Sequence, residues 1–362
     1  MESCDIMKTM NSLEDFGWTH DRQLQWEAIR RDGTLPARVV ADFGTSLKVA
    51  APEILTAELS GKLAHYSSRD DTPKVGDWVS ITISDNNNVT IESVILRSNE
   101  IARKVTGKRT LKQIIAANVD IAFVLLALDN DFSVERLKRF LYQLSVSSIE
   151  PIIVLNKADK TDDLDSYIAQ INALEIPVIV TTAIEGIGID AIAERITPAK
   201  TAIFLGSSGV GKSTLTNALL GRAAQETGET RVDDSKGKHT TVHRELFMLP
   251  NQGILIDTPG IRELQLWGTE EDLDANYDDI IAIAAQCKYA NCRHTTEQGC
   301  AINQALADGT LDKKQYANYL QMKKELAGLA AKKAESIKRG KQRVARSNKK
   351  KRDTQSQGWR NE

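Results

Sequence analysis

The spacing of apolar positions divides the chain into stretches of different texture. Residues 1–36 form an N-terminal extension with one weakly helical patch, DRQLQWEAIRR. From Ala37 short segments alternate apolar and polar positions: ARVVADF, SLKVAA, LTAELSGKLAHY, DWVSITIS and VTIESVIL. Gly44, Gly61, Asp71 to Pro73, Gly76 and Asn86 to Asn88 separate them. A period of two marks strands with one buried face, and the breakers mark turns. About five such strands within 37–104 predict a small antiparallel barrel of the OB-fold type.

From Asn118 near-continuous apolar runs replace the alternation: VDIAFVLLAL, PIIVLN, PVIVTT, TAIFLG, ELFMLP and GILIDT. Strands covered by helices on both faces read this way. Between them VERLKRFLYQL, LDSYIAQINAL and STLTNALLG have the period of crossover helices. Residues 105–266 therefore predict an α/β domain built on a mostly parallel sheet. After Trp267 the pattern turns helical and acidic, giving a helical module over 267–330. A Lys- and Ala-rich helix follows, which Gly340 is expected to interrupt, and 331–362 form a basic tail. The fold class is multidomain α/β.

A length of 362 residues agrees with two or three domains. No apolar run reaches the roughly 18 residues that a membrane helix needs, and the start MESCDIMKTMNSLED lacks a basic segment leading into an apolar one. Neither a membrane span nor a secretory signal is expected, and the predicted location is cytoplasmic. The net charge of −2 conceals an asymmetry, because eleven Lys or Arg fall between Lys332 and Arg352 against the single acid Glu335. Such a tail suits a polyanion, with nucleic acid the first choice, and equally a solvated helix.

Candidate chemistry sharpens the middle of the chain. Gly206-Ser207-Ser208-Gly209-Val210-Gly211-Lys212-Ser213 follows the strand TAIFL, and Ser213-Thr214 opens the helix STLTNALL. That pattern is a P-loop, whose glycines let backbone N–H groups turn around a polyphosphate at a helix N-terminus. Lys212 is then expected on the β and γ phosphates and the Ser213 hydroxyl on Mg²⁺. Asp257-Thr258-Pro259-Gly260 ends the strand GILI. It places Asp257 to hold Mg²⁺ through water and Gly260 to sense a γ-phosphate. The polar segment Gly228 to His243 resembles a switch, with Thr240 or Thr241 as a further Mg²⁺ ligand.

Asn156-Lys157-Ala158-Asp159 ends the strand PIIVL. The Asp159 carboxylate can accept from N1 and N2 of guanine, donors that adenine lacks. Asn156 would tie this loop to the P-loop, and the Lys157 stem would lie along the base. Thr182-Ala183, after PVIV, suits a backbone contact to guanine O6. Cys287, Cys292, His294 and Cys300 supply the ligands of a closed tetrahedral zinc site. With four ligands and no open position, the predicted zinc is structural.

The base-reading NKAD precedes the phosphate-binding GSSGVGKS, the reverse of most GTPases. Among circularly permuted GTPases the chain resembles the RsgA (YjeQ) family. The resemblance rests on Val75-Gly-Asp-Trp-Val79, Ala117-Asn-Val-Asp120, NKAD, GSSGVGKSTLTNALLG, GKHTT, DTPG and the cysteine cluster, spanning about 37–305. It implies a GTPase using GTP or GDP, Mg²⁺ and one structural Zn²⁺, acting on the small ribosomal subunit and its rRNA in late assembly. A monomer is expected. Ile261 occupies the place where many GTPases put a water-orienting Gln, so intrinsic hydrolysis should be slow and ribosome-stimulated. His239 is the candidate to replace it, as the resemblance also implies, with His243 a weaker one. A GTP-dependent RNA-binding factor with incidental hydrolysis is the alternative. Asp159 disfavours an ATP-using enzyme.

Overall fold

The computed structural model describes residues 12–44, 46–51, 53–66, 72–104, 112–129, 131–221, 244–257 and 266–358. It divides into two compact units, one of residues 1–103 and 112–265 and the other of 104–111 and 266–362.

The first unit opens with a 3-10 turn, Glu14–Phe16, and helix α1, His20–Glu27, whose N-cap Thr19 accepts from the Arg22 N–H. The barrel follows as β1 Leu35–Asp42, β2 Leu47–Ala50, β3 Ile54–Leu59, helix α2 Gly61–Tyr66, β4 Trp78–Ile83 and β5 Val89–Val94. These strands lie in the order β1-β2-β3-β5-β4, with β1 pairing back to β4. β3 and β5 run parallel and the other barrel pairs antiparallel. This closed arrangement is the expected OB-fold. One predicted segment divides in two: LTAELSGKLAHY is a strand to Leu59, then turns at Ser60, whose hydroxyl accepts from Leu63 N–H at the start of α2.

A two-stranded sheet, β6 Glu100–Lys104 and β7 Lys112–Ala117, leads into the nucleotide sheet. Its elements are β8 Ile121–Ala127, α3 Val134–Val146, β9 Glu150–Asn156, α4 Leu164–Ile171, β10 Val178–Thr181, α5 Ile189–Arg195, β11 Thr201–Leu205, α6 Lys212–Leu220, β12 Arg244–Met248 and β13 Ile254–Asp257. β10-β9-β8-β11-β13 run parallel, and β12 is antiparallel to β13. Successive residues face opposite sides, so each central strand feeds two cores. Phe123, Leu125, Ile152, Val154 and Phe204 pack with α5 and α6 through Ile192, Leu215 and Leu219. Val124, Leu126, Ile153, Leu155 and Ile203 pack with α3 and α4 through Leu137, Phe140 and Ile171. Double burial is why these strands read as unbroken apolar runs.

β12 also pairs with β1, through Ala41↔Glu245 and Asp42↔Arg244, so barrel and nucleotide sheet form one eleven-stranded sheet among the described residues. Ala37 and Val39 of β1 point into the barrel, whereas Val40 joins the core shared with the nucleotide sheet. Phe16, Trp18 and Trp26 of the N-terminal segment are buried in that shared core, and Trp18 meets Trp78 edge-on at 4.7 Å. The sequence offered little for this segment. The guanidinium of Arg38 explains how it docks, because Arg38 donates to Phe16 O, Gly76 O, Asn118 O and Thr201 Oγ1. Burial pushes that guanidinium down to about 10, which still leaves it charged at neutral pH.

The second unit is helical: α7 Glu270–Asp274, α8 Asp278–Ala284, α9 Ala301–Asp308 and α10 Lys313–Gly358. Thr269 and Asp272 form a capping box on α7. Tyr277, Tyr316, Tyr319, Met322, Leu326 and Leu329 are buried, and Asn318 Nδ2 donates to the Tyr277 hydroxyl at 3.1 Å. Gly340 does not interrupt α10, contrary to the expectation from sequence. A mid-helix Gly costs only about 1 kcal/mol relative to Ala, and the Lys, Arg and Ala around it favour helix.

Candidate functional site

The loops that follow β8, β9, β10 and β11 are joined by hydrogen bonds at the C-terminal edge of the parallel strands, where ligands bind in open α/β sheets. The P-loop leaves β11 through Gly206, buried against the Leu125 carbonyl, and enters α6 at Gly211, whose φ is +103°. A Cβ at Gly211 would stand 2.2 Å from Asn156 Nδ2, so nothing larger fits. Val210 is buried, while Ser208 and Gly209 face outward. The Lys212 ammonium donates to the carbonyls of Gly206 at 2.8 Å and Ser207 at 2.5 Å. Burial pushes its pKa down to about 8, against the opposing pull of Asp257 and Asp131. A cation held in a glycine-lined turn at a helix N-terminus is a cradle for polyphosphate. Ser213 and Thr214 lie in the first turn of α6, and the Asp257 carboxylate is buried at the end of β13.

Asn156 joins the loops. It is buried at the end of β9, and its Nδ2 donates to the Val210 carbonyl at 2.8 Å. Its Oδ1 accepts from the Thr181 hydroxyl at 2.9 Å and the Ala183 N–H at 3.3 Å. Replacing Asn156 by Ala should therefore strand the Val210 carbonyl and the Thr181 hydroxyl, costing about 1–3 kcal/mol of folding stability. An unchanged urea midpoint in that variant would show that the tie carries no weight.

Lys157 adopts a left-handed backbone, φ +62°, followed by the 3-10 turn Ala158–Lys160. Asp159 lies 3.0 Å from the Lys160 ammonium with its side chain 24% exposed. Thr182 closes a tight bridge with Ile187. Of the remaining predicted residues, His239, Thr240, Thr241 and Gly260 lie outside the described residues, as do His243 and Ile261.

The cysteine cluster is assembled in the second unit, between α8 and α9. The ligand atoms of Cys287, Cys292, His294 and Cys300 all lie within 4.8 Å of one another. His294 Nδ1 is 3.5 Å from both Cys287 Sγ and Cys300 Sγ. A tetrahedron with Zn–S of about 2.3 Å and Zn–N of about 2.0–2.1 Å has an S···N edge of about 3.5 Å, so the donor set fits zinc. Glu297 braces the loop by accepting from Arg293 N–H at 3.0 Å and Thr295 N–H at 2.8 Å. Those hydrogen bonds hold its carboxyl down at about 2.

Residues 94–267 match the model of the RsgA GTPase family. The small ribosomal subunit biogenesis GTPase RsgA of Syntrophotalea carbinolica is 37% identical over 345 residues, 91% of this chain and 95% of that protein. RsgA 2 of Vibrio parahaemolyticus is 38% identical over 346 residues, 93% of this chain and 94% of that protein. The chain belongs to the RsgA GTPase family. As a member it is a circularly permuted P-loop GTPase, and its Asn156-Lys157-Ala158-Asp159 segment precedes its P-loop. The crystal structure of YjeQ from Thermotoga maritima superposes with a TM-score of 0.57 at 25% identity, covering 82% of this chain and 99% of that one. The circularly permuted GTPase YloQ shares the fold, with a TM-score of 0.55 at 23% identity, covering 83% of this chain and 97% of that one.

Two residues of this RsgA-family site escaped the reading of the sequence. Asp129 and Asp131 follow β8, where Lys157 Nζ bonds Asp129 at 2.9 Å and Ser207 Oγ donates to Asp131. Burial works to raise the Asp129 pKa, but the Lys157 bond and the Asp131 N–H hold it below the usual carboxylate range. The signal was present as two acids just past a buried strand. No motif names them.

Proposed function

We propose that this GTPase acts in assembly of the small ribosomal subunit, binding GTP and Mg²⁺ at the loops after β9, β10, β11 and β13. The observation that carries the nucleotide assignment is Asn156, whose amide hydrogen-bonds the phosphate loop, β10 and the Ala183 loop at once. A single buried side chain at the hub of three loops makes base and phosphate recognition parts of one site. The names of the relatives supply the ribosomal context, and coverage above nine-tenths of each chain supports its transfer.

In this reading Asp159 accepts from guanine N1 and N2, the Lys157 stem lies along the base, and Ala183 offers its N–H toward O6. Lys212 and the P-loop N–H groups hold the β and γ phosphates. Ser213 and Asp257 offer the hard oxygen donors that suit Mg²⁺, joined by Thr240 or Thr241 and with Gly260 at the γ-phosphate. Bound Mg²⁺ would neutralise charge on the phosphate oxygens. The protein's part is to orient: desolvated Lys212 is a stronger electrostatic partner than a solvated lysine, and it costs no reorganisation during the reaction. With Ile261 after Gly260, water must be oriented from elsewhere, by His239 or by the ribosome. Cys287, Cys292, His294 and Cys300 hold a structural zinc.

Contact with rRNA is assigned to the barrel, the zinc module and the basic α10 tail together. From Ala330 onward the described side chains of α10 are exposed. Phosphate contacts of this kind weaken steeply with salt. The protein works as a cytoplasmic monomer in this reading. GTP turnover measured with and without purified small subunits is the test, with stimulation expected. GTP-dependent binding to the subunit without faster turnover would instead make it an RNA-binding factor whose hydrolysis is incidental.

A further inference from the structure

The loop after β8 carries chemistry that the nucleotide motifs leave unused. Asp129 Oδ1 accepts from the Asp131 backbone N–H at 2.9 Å, so the two acids are fixed relative to one another. Toward the base-reading loop, Asp129 Oδ2 holds the Lys157 ammonium at 2.9 Å. Toward the phosphate loop, Asp131 Oδ2 accepts from the Ser207 hydroxyl. Arg136 of α3 secures the second acid, donating to Asp131 Oδ2 at 2.8 Å and to its carbonyl at 3.2 Å. The Arg136 N–H is itself capped by Ser133 Oγ at 3.2 Å. The result is a continuous strut, Lys157–Asp129–Asp131–Ser207, anchored on a helix that packs into the core through Leu137 and Phe140.

Asn156 to Val210 is a tie between the same two loops, buried beneath. One tie lets two loops pivot about it, whereas two ties at different depths fix both separation and tilt. Each acid also has its own cation, Lys157 for Asp129 and Arg136 for Asp131. A carboxylate beside the phosphate loop is therefore tolerable, since its charge is already offset.

We propose that Asp129 and Asp131 are positioning residues that set the register between the base-reading and phosphate loops, so that guanine and polyphosphate are gripped simultaneously. The inference rests on the assignment of those loops given above. Neither acid needs to touch nucleotide, because they act through Lys157 and Ser207. A nucleotide has a fixed length between base and phosphates. If the register slackens, satisfying the P-loop pulls the base away from Asp159, and selectivity falls together with affinity.

The test compares GDP with IDP, which lacks the 2-amino group, in fluorescence competition on the full chain and its variants. Ser207→Ala and Asp131→Ala should lower GDP affinity about tenfold and narrow the preference for GDP over IDP about threefold, although neither residue reads the base. Asp131→Asn keeps an acceptor for Ser207 and should retain most of the preference. Combining Ser207→Ala with Asp129→Ala, which removes the acceptor for Lys157, should lose little more than the worse single variant, since either change breaks the same strut. Equal weakening of GDP and IDP by Ser207→Ala, or additive losses in the double variant, would overturn the proposal. Ser207→Ala removes one oxygen from a half-buried side chain, so its thermal unfolding serves as the control for folding. Failure of the unaltered chain to prefer GDP over IDP would instead sink the assignment of Asp159.

Discussion

Asp159→Asn is expected to lower the affinity for GDP by about 10²- to 10⁴-fold while creating affinity for xanthine nucleotides. The carboxylate offers two acceptors to two guanine donors, and hydrogen bonds to a charged group contribute about 1.5–3 kcal/mol each. Replacing one acceptor by an amide NH₂ removes one bond and sets donor against donor. Xanthine carries a carbonyl where guanine carries its amino group, so the same NH₂ finds a partner there. The fold should be unaffected, because the Asp159 side chain is partly exposed and its nearest ion pair is with adjacent Lys160. Competition binding with GDP and XDP measures the switch. Undiminished GDP affinity would mean that some other group reads the base.

The second large effect concerns the cysteine cluster. Purified chain should carry one zinc, and Cys292→Ala or a strong chelator should remove it and unfold the 287–300 loop. The apparent binding energy of a structural zinc, about 10–16 kcal/mol, matches or exceeds the whole stability of a typical domain. Little else can hold this segment: Cys287 and Cys292 are only partly buried, and most residues from Lys288 to Gly299 are exposed. Metal analysis and hydrogen exchange across 287–300 report the loss. GDP binding should persist, since Lys212, Asn156 and Asp159 all belong to the other unit. A native chain without zinc, or unchanged exchange after Cys292→Ala, would refute the assignment.

The parts of this protein legible in the sequence are those with a short-range physical signature. Doubly buried strands such as Ile121–Ala127 must be apolar throughout, and the barrel strands must alternate, so both declare themselves. Gly211 is dictated by the closeness of Asn156, which turns a contact between distant residues into a local motif. Phe16, Trp18 and Trp26 are not legible as core, because what buries them lies far along the chain: Trp78 against Trp18, and Arg38 donating to the Phe16 carbonyl. Asp129 and Asp131 failed for the same reason, since their partners are 28 and 76 positions away. Gly340 misled in the opposite direction. Its helix penalty is local and visible, whereas the favourable Lys, Arg and Ala neighbours that outweigh it act only in sum.

The join between β1 and β12 also bears on how this protein can be cut. Among the described residues, a barrel that closes through β1 and β4 leaves no free rim of its own, and β1 continues the nucleotide sheet past β12. The opposite rim is β10, a strand of four residues, too short to recruit another chain readily. Excising the barrel would bare the start of β12, where Arg244 and Glu245 pair with β1, beside the strand that ends in Asp257. A nucleotide domain cut free of the barrel should therefore self-associate through this edge more readily than the full chain, a difference that light scattering on the two would read.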